Sequence, residues 1–145
     1  MNSCITVLLA EDNPGDVFLV RRALEKHGLT DVELVVVEDG QAALRYIERV
    51  DGDDTSVSPD LALLDLNLPR ATGSRILLRI RQSRRCGGIP IIIVTSSDSP
   101  LDRDAASELG ATAYFQKPGD LAGFMQLGRV VRDALNGQIP ADVRR

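Results

Sequence analysis

The sequence predicts an α/β domain built on an open, doubly wound, mostly parallel sheet of five strands with five helices. Three observations carry that expectation. Strand-length apolar runs alternate five times with segments of helical spacing, the pattern of repeated βαβ units. Most of the runs are continuous rather than alternating in polarity, as parallel strands covered on both faces require. Five strands are too few for a closed eight-stranded barrel, and right-handed crossovers then place helices on both faces of an open sheet.

The elements follow in order. The apolar runs are Ile5–Ala10, Val32–Val37, Leu61–Leu64, Ile91–Val94 and Ala113–Phe115. Four are rich in Val, Ile or aromatic residues; Leu61–Leu64 is only Leu and Ala and is compatible with helix on composition alone. The first helix is marked by Val17, Val20 and Leu24, starts after Pro14-Gly15-Asp16 and stops at Gly28, a C′ glycine. Ala43, Leu44 and Ile47 mark the second, and Ile76, Leu77 and Ile80 the third. The fourth opens at Ser99-Pro100, with proline at N1, and closes at Gly110. The last runs from about Asp120 to Asn136, with Phe124, Gly128, Val131 and Leu135 on one stripe. The connection Val50–Pro59 is long and polar and is expected to be a mobile surface loop.

Composition narrows the class. The chain has 145 residues, enough for one domain over 1–145 with a core of about 4–136 and a short tail at 137–145. A net charge of −4 argues against nucleic-acid or anionic-membrane binding, which would need a basic patch. No apolar stretch reaches the roughly 18–20 residues of a membrane span, and the N-terminus has no signal-peptide pattern, so the cytoplasm is the expected compartment. Cys4 and Cys86 match no metal spacing and read as a buried strand residue and a loop residue.

In an open α/β sheet, ligands bind beyond the carboxyl ends of the strands. Glu11 and Asp12 follow the first strand, Asp65 ends the third, Thr95 the fourth and Lys117 the fifth. Three acids gathered there repel one another unless a cation joins them, and a hard divalent ion such as Mg²⁺ (or Mn²⁺) suits an all-oxygen site. One carboxylate then serves as nucleophile towards phosphorus, while Lys117 and the Thr95 hydroxyl meet the phosphoryl oxygens. Each residue also has a plain structural role open to it: Asp65 as a helix cap, Glu11-Asp12 as a turn, Thr95 as loop and cap chemistry, Lys117 as a surface charge. Lys117 stands out because the chain has only two lysines, Lys26 and Lys117, against fifteen arginines. A cis Lys117–Pro118 bond in a tight turn would aim the ammonium inward.

These residues resemble the response-regulator receiver domain, the phosphoacceptor module of two-component signalling. The carriers are Glu11-Asp12-Asn13, the run Leu63 to Pro69 with Gly73, Thr95-Ser96, and Tyr114 to Pro118, with Lys117 lying 22 positions after Thr95 and Tyr114 lying 19 after it. The resemblance covers about Ile5 to Asn136 and implies the flavodoxin-like strand order 2-1-3-4-5. It implies that Asp65 accepts the phosphoryl group and that Glu11 and Asp12 form the acidic pocket. Asp12, Asp65 and the main-chain carbonyl of Asn67 would hold the metal. Thr95 and Lys117 would read the phosphoryl group, Tyr114 would be an aromatic switch that turns inward after Thr95 moves, and Gly73 would open the way to the third helix. Thr72 departs from the pattern, where an acidic residue often precedes the glycine.

The fragments Glu11 to Asp16 and Asp65 to Arg70 resemble more narrowly short regulators that pair with bacterial phytochrome-type histidine kinases. The partners implied are such a kinase, donating from its own phosphohistidine, and a downstream protein target or phosphotransfer protein. A homodimer through the fourth helix, fifth strand and fifth helix is also implied. His27, at the end of the first helix, is expected to face solvent. Only nine residues follow Asn136, so output is expected through protein contacts. Two rivals remain. A haloacid-dehalogenase-type phosphatase needs a second Asp two positions after the nucleophile as general acid, and that position is Asn67. A receiver-like binding module would never take phosphate.

Overall fold

The computed structural model describes residues 4–137. Its strands are β1 (Ile5–Ala10), β2 (Val32–Val37), β3 (Leu61–Leu64), β4 (Ile91–Thr95) and β5 (Ala113–Gln116). All pairings are parallel and the order is β2-β1-β3-β4-β5, as expected. The helices are α1 (Pro14–Lys26), α2 (Gly40–Gly52), α3 (Gly73–Arg81), α4 (Pro100–Glu108), α5 (Leu121–Met125) and α6 (Leu127–Leu135).

The two-residue strand period divides the core into two layers. Leu8, Ala10, Ala62, Leu64, Ile91 and Ile93 face α2, α3 and α4 through residues such as Ile47, Ile76, Leu77 and Ala106. Val7, Leu9, Leu61, Leu63, Ile92 and Val94 face α1, α5 and α6 through Val20, Leu24, Phe124, Leu127 and Val131. Leu61–Leu64 is therefore a central strand: β1 and β4 pair along its two edges and the helix layers bury its two faces, which decides what its Leu/Ala composition left open. Truncating a fully buried member such as Leu63 or Ile93 to alanine costs about 2–5 kcal/mol.

Helix starts are fixed by short polar side chains that accept orphan amides: Asn13 for α1, Asp39 for α2, Thr72 for α3, Ser99 for α4 and Asp120 for α5. Thr72 thus has a local reason to be there, accepting from the Arg75 amide at 3.3 Å. Gly28 and Gly110 end α1 and α4 with positive φ, as expected.

Five expectations need correction. The last helix is divided at Gln126, whose amide donates to the Gly123 carbonyl at 3.1 Å, a tightened 3₁₀-type turn between α5 and α6. His27 does not face solvent: its ring is half-buried against α6, where a Cβ on Gly128 would lie 2.6 Å from His27 Cδ2, and its Nε2 is buried without a hydrogen-bond partner. The missing side chain at Gly128 makes room for that ring and lets α6 approach the Ala23 carbonyl. The Val50–Pro59 connection is pinned rather than loose. α2 extends through Gly52, and Asp51 accepts from Ser83 Oγ (2.6 Å), Arg79 Nη2 (3.0 Å) and the Arg85 amide (3.1 Å). Arg85 also donates to the carbonyls of Val50 and Asp53 and to Ser56 Oγ. Cys4 is exposed just before β1 rather than a buried strand residue, whereas Cys86 lies in the turn after α3, a loop residue as expected, and is buried there. Finally, the Lys117–Pro118 bond is trans, and the described residues contain no cis peptide. Lys117 reaches the acids without it, and trans is the favoured X–Pro isomer by about 0.5–1 kcal/mol.

Candidate phosphoacceptor site

The parallel register carries the strand-end residues to one edge. Ala10 lies opposite Leu64, so Glu11 and Asp65 leave the sheet side by side. Two backbone bonds extend the ladder just past the strands, Asp65 N to the Ala10 carbonyl (3.1 Å) and Lys117 N to the Thr95 carbonyl (2.8 Å). The sequence-derived residues Glu11, Asp65 and Lys117 therefore meet because the parallel register brings the carboxyl ends of these strands to one edge.

Lys117 Nζ is the hub. It donates to Glu11 Oε1 at 2.8 Å, Asp16 Oδ2 at 2.8 Å and Asp65 Oδ2 at 3.1 Å. Glu11 Oε2 accepts the Asn13 amide at 3.1 Å, and Asp65 Oδ1 accepts the Asn67 amide at 3.0 Å. Glu11 and Asp65 are buried, whereas Asp12 and Asn67 are exposed. Burial pushes the Glu11 carboxyl above its ordinary value, against the opposing bond and charge of Lys117. Burial also disfavours the Lys117 ammonium, but its bonds to Asp16 and Glu11 and the charges of Asp65 and Glu11 outweigh that and raise its pKa.

Sequence reasoning gave Asp16 no role. The available signal was only that Asp16 is an acidic residue in the first turn of α1, a few positions after Glu11 and Asp12. The contact itself joins residues 101 positions apart and is visible only in the fold.

Asp65 is held in place from behind by Gly73. A Cβ there would lie 2.3 Å from the Asp65 carbonyl oxygen and 2.9 Å from both Asp65 C and Leu66 Cα. The Gly73 amide donates to the Leu66 carbonyl at 3.2 Å. Only glycine admits α3 this close to the end of β3.

Thr95 is fully buried at the end of β4, and its Oγ1 accepts the Ser97 amide at 3.4 Å. Tyr114 already lies inward, 5% exposed, with its hydroxyl donating to the Ser97 carbonyl at 3.1 Å. Arg103 of α4 stacks on its ring at 4.4 Å. That hydrogen bond and that stacking contact hold the ring in its inward position.

Glu11, Asp12 and Asp65 each offer a carboxylate oxygen, all within 4.8 Å of one another. Oxygens around a Mg²⁺-sized ion at about 2.0–2.1 Å stand roughly 3–4 Å apart, so this donor set fits a hard divalent cation after small side-chain adjustments. With Asp16, four carboxylates face one ammonium, and an added cation would relieve the excess negative charge.

Comparison with known proteins agrees with this geometry. The response regulator receiver domain family matches residues 7–127. Response regulator Rcp1 of Synechocystis is 34% identical over 121 residues, 83% of this chain and 82% of that protein. The Mn²⁺-bound crystal structure of Rcp1 superposes with a TM-score of 0.77 at 31% identity, covering 89% of this chain and 92% of that one. The phosphorylated cyanobacterial phytochrome response regulator RcpA gives a TM-score of 0.79 at 30% identity, covering 90% and 93%. The receiver domain of the sensor histidine kinase PA1611 from Pseudomonas aeruginosa, with magnesium in its active-site cleft, gives 0.72 at 27% identity, covering 92% and 99%. The chain belongs to the response regulator receiver domain family.

Proposed function

We propose that this receiver takes a phosphoryl group on Asp65 from the phosphohistidine of a partner histidine kinase, of the phytochrome type, and thereby switches its contacts with other proteins in the cytoplasm. The observation that carries the reading is the Asp65 carboxylate itself, buried at the strand-end edge, 3.1 Å from Lys117 Nζ and within 4.8 Å of the Glu11 and Asp12 oxygens.

The chemistry follows from those contacts. One Asp65 oxygen attacks phosphorus, the donor's N–P bond breaks, and its electron pair returns to the imidazole. Lys117 donates to the transferring group, for which its bond to Asp65 Oδ2 is already in place. Thr95 Oγ1 accepts from the Ser97 amide, and a hydroxyl that accepts one bond can also donate its hydrogen, here to a second phosphoryl oxygen. Glu11, Asp12, Asp65 and the Asn67 main-chain carbonyl would hold Mg²⁺ or Mn²⁺, which supplies neutralisation of the phosphoryl charge. Movement of Thr95 alters the Ser97 segment that Tyr114 and Asp102 grip, and so biases the face formed by α4, β5 and the following helices. That face is the proposed contact for a downstream protein or a second copy. Turnover as a phosphatase is disfavoured because Asn67, two positions after the nucleophile, cannot act as general acid.

The test is labelling with acetyl phosphate in Mg²⁺. The wild type is expected to gain one phosphoryl group per chain and Asp65→Asn none, with unchanged circular dichroism. Continuous release of phosphate from a generic ester would favour the phosphatase, and absence of any label in the wild type would favour a binding module.

A further inference from the structure

The lysine ammonium has three hydrogens, and each points to a different carboxylate. Two acceptors, Glu11 and Asp65, come from strand ends. The third, Asp16, comes from the first turn of α1, where its own amide is tied to the Asn13 cap at 3.2 Å. Its bond to Lys117 is as short as that of Glu11 and shorter than that of Asp65. Lys117 and Asp16 are both largely shielded, at 12% and 23% side-chain exposure. A charge-assisted bond of that length restrains a side chain that otherwise has four rotatable methylenes.

We propose that Asp16 is a positioning residue of the phosphoacceptor site. Its carboxylate anchors the Lys117 ammonium to α1, so that on phosphorylation the ammonium exchanges only its Asp65 bond for a phosphoryl oxygen and keeps those to Glu11 and Asp16. This role rests on the assignment of Asp65 as acceptor. Without Asp16, the flexible lysine stem lets the ammonium settle onto the remaining two acids. It then pairs more tightly with Asp65, which weakens that carboxylate as a nucleophile, and turns its third hydrogen to water. A competing effect runs the other way, because removing an anion eases approach of a dianionic donor.

The two effects separate by comparing Asp16→Ala with Asp16→Asn, since asparagine loses the charge but keeps an oxygen that accepts from Lys117. Positioning predicts that Asp16→Ala slows labelling by acetyl phosphate roughly three- to tenfold, on the scale of one ordinary hydrogen bond, with Asp16→Asn in between. If both variants label equally fast, or faster than wild type, the proposal is wrong. The second readout needs no phosphoryl group. The chain has only two lysines, so its ¹⁵N ammonium spectrum contains two signals, and Lys117 is expected to be the solvent-protected one. Protection is lost in Asp16→Ala and retained in part in Asp16→Asn; unchanged protection in Asp16→Ala would overturn the anchor. Should the wild type take no label while the ammonium signals behave as stated, the assignment of Asp65 fails and the Asp16–Lys117 anchor stands.

Discussion

Gly73→Ala opposes two magnitudes that the structure lets one compare. Alanine is the better helix former by up to about 1 kcal/mol, an upper bound at the first position of α3. Against that, the new Cβ would sit 2.3 Å from the Asp65 carbonyl oxygen, roughly 1 Å inside ordinary contact, and 2.9 Å from two further backbone atoms. Backbone cannot swing aside as a side-chain tip can, so either α3 or the end of β3 must move. Overpacking of this kind costs about 1–3 kcal/mol. The steric effect wins, and Gly73→Ala is expected to lose about 1–2 kcal/mol in urea unfolding and to label more slowly, because Asp65 is displaced. Gly52→Ala is the control: it lies at the end of α2 with nothing within 4 Å of an added Cβ, and is expected to be neutral or to gain up to about 1 kcal/mol. A Gly73→Ala protein as stable as wild type with the same labelling rate would refute the argument that close approach requires this glycine.

Three further outcomes are expected. Asp51→Asn weakens the arginine-pinned α2–β3 connection by about 1–3 kcal/mol at neutral pH, measured by urea unfolding. Burial raises the Asp51 pKa, but the bonds from Ser83, Arg85 and Arg79 outweigh it and hold the carboxyl below its ordinary 3.8. Its contribution is therefore complete above 3.8 and lost as pH falls through the folded value, so the variant and wild type should converge in acid; a gap that persists there contradicts the assignment. Tyr114→Ala should leave labelling nearly unchanged and weaken the difference in partner affinity between the two phosphorylation states, measured by calorimetry; an undiminished difference removes Tyr114 from the switch. Adding a chelator should abolish labelling of the wild type, and labelling that survives it would remove the metal from the reaction.

How legible the molecule was depended on the range of the interaction involved. β1 and β2 were read from local apolar runs, and Asn13, Ser99, Gly28 and Gly110 mark helix ends through neighbours a few positions away. Leu61–Leu64 was ambiguous because Leu and Ala carry little strand preference, and only β1 and β4 on either side settle it. The turn at Gln126 left no trace, since glutamine is a good helix former and stays in the α region at φ −64°. The connection after α2 looked loose because the arginines that hold it lie some thirty positions onward. At the site, Glu11, Asp65 and Lys117 were legible as polar residues ending apolar strands. Asp16 was hidden among helix-start residues, and the inward Tyr114 depends on Arg103 and on the Ser97 carbonyl, neither of which the motif encodes.

The most direct test maps the phosphoryl group itself. Borohydride reduction of the freshly labelled protein converts an acyl phosphate to an alcohol, and peptide mass spectrometry then locates it. Conversion of Asp65 to homoserine, with every other acid intact, is the predicted result. Reduction at Glu11, Asp12 or Asp16, or phosphate retained on His27, would contradict it.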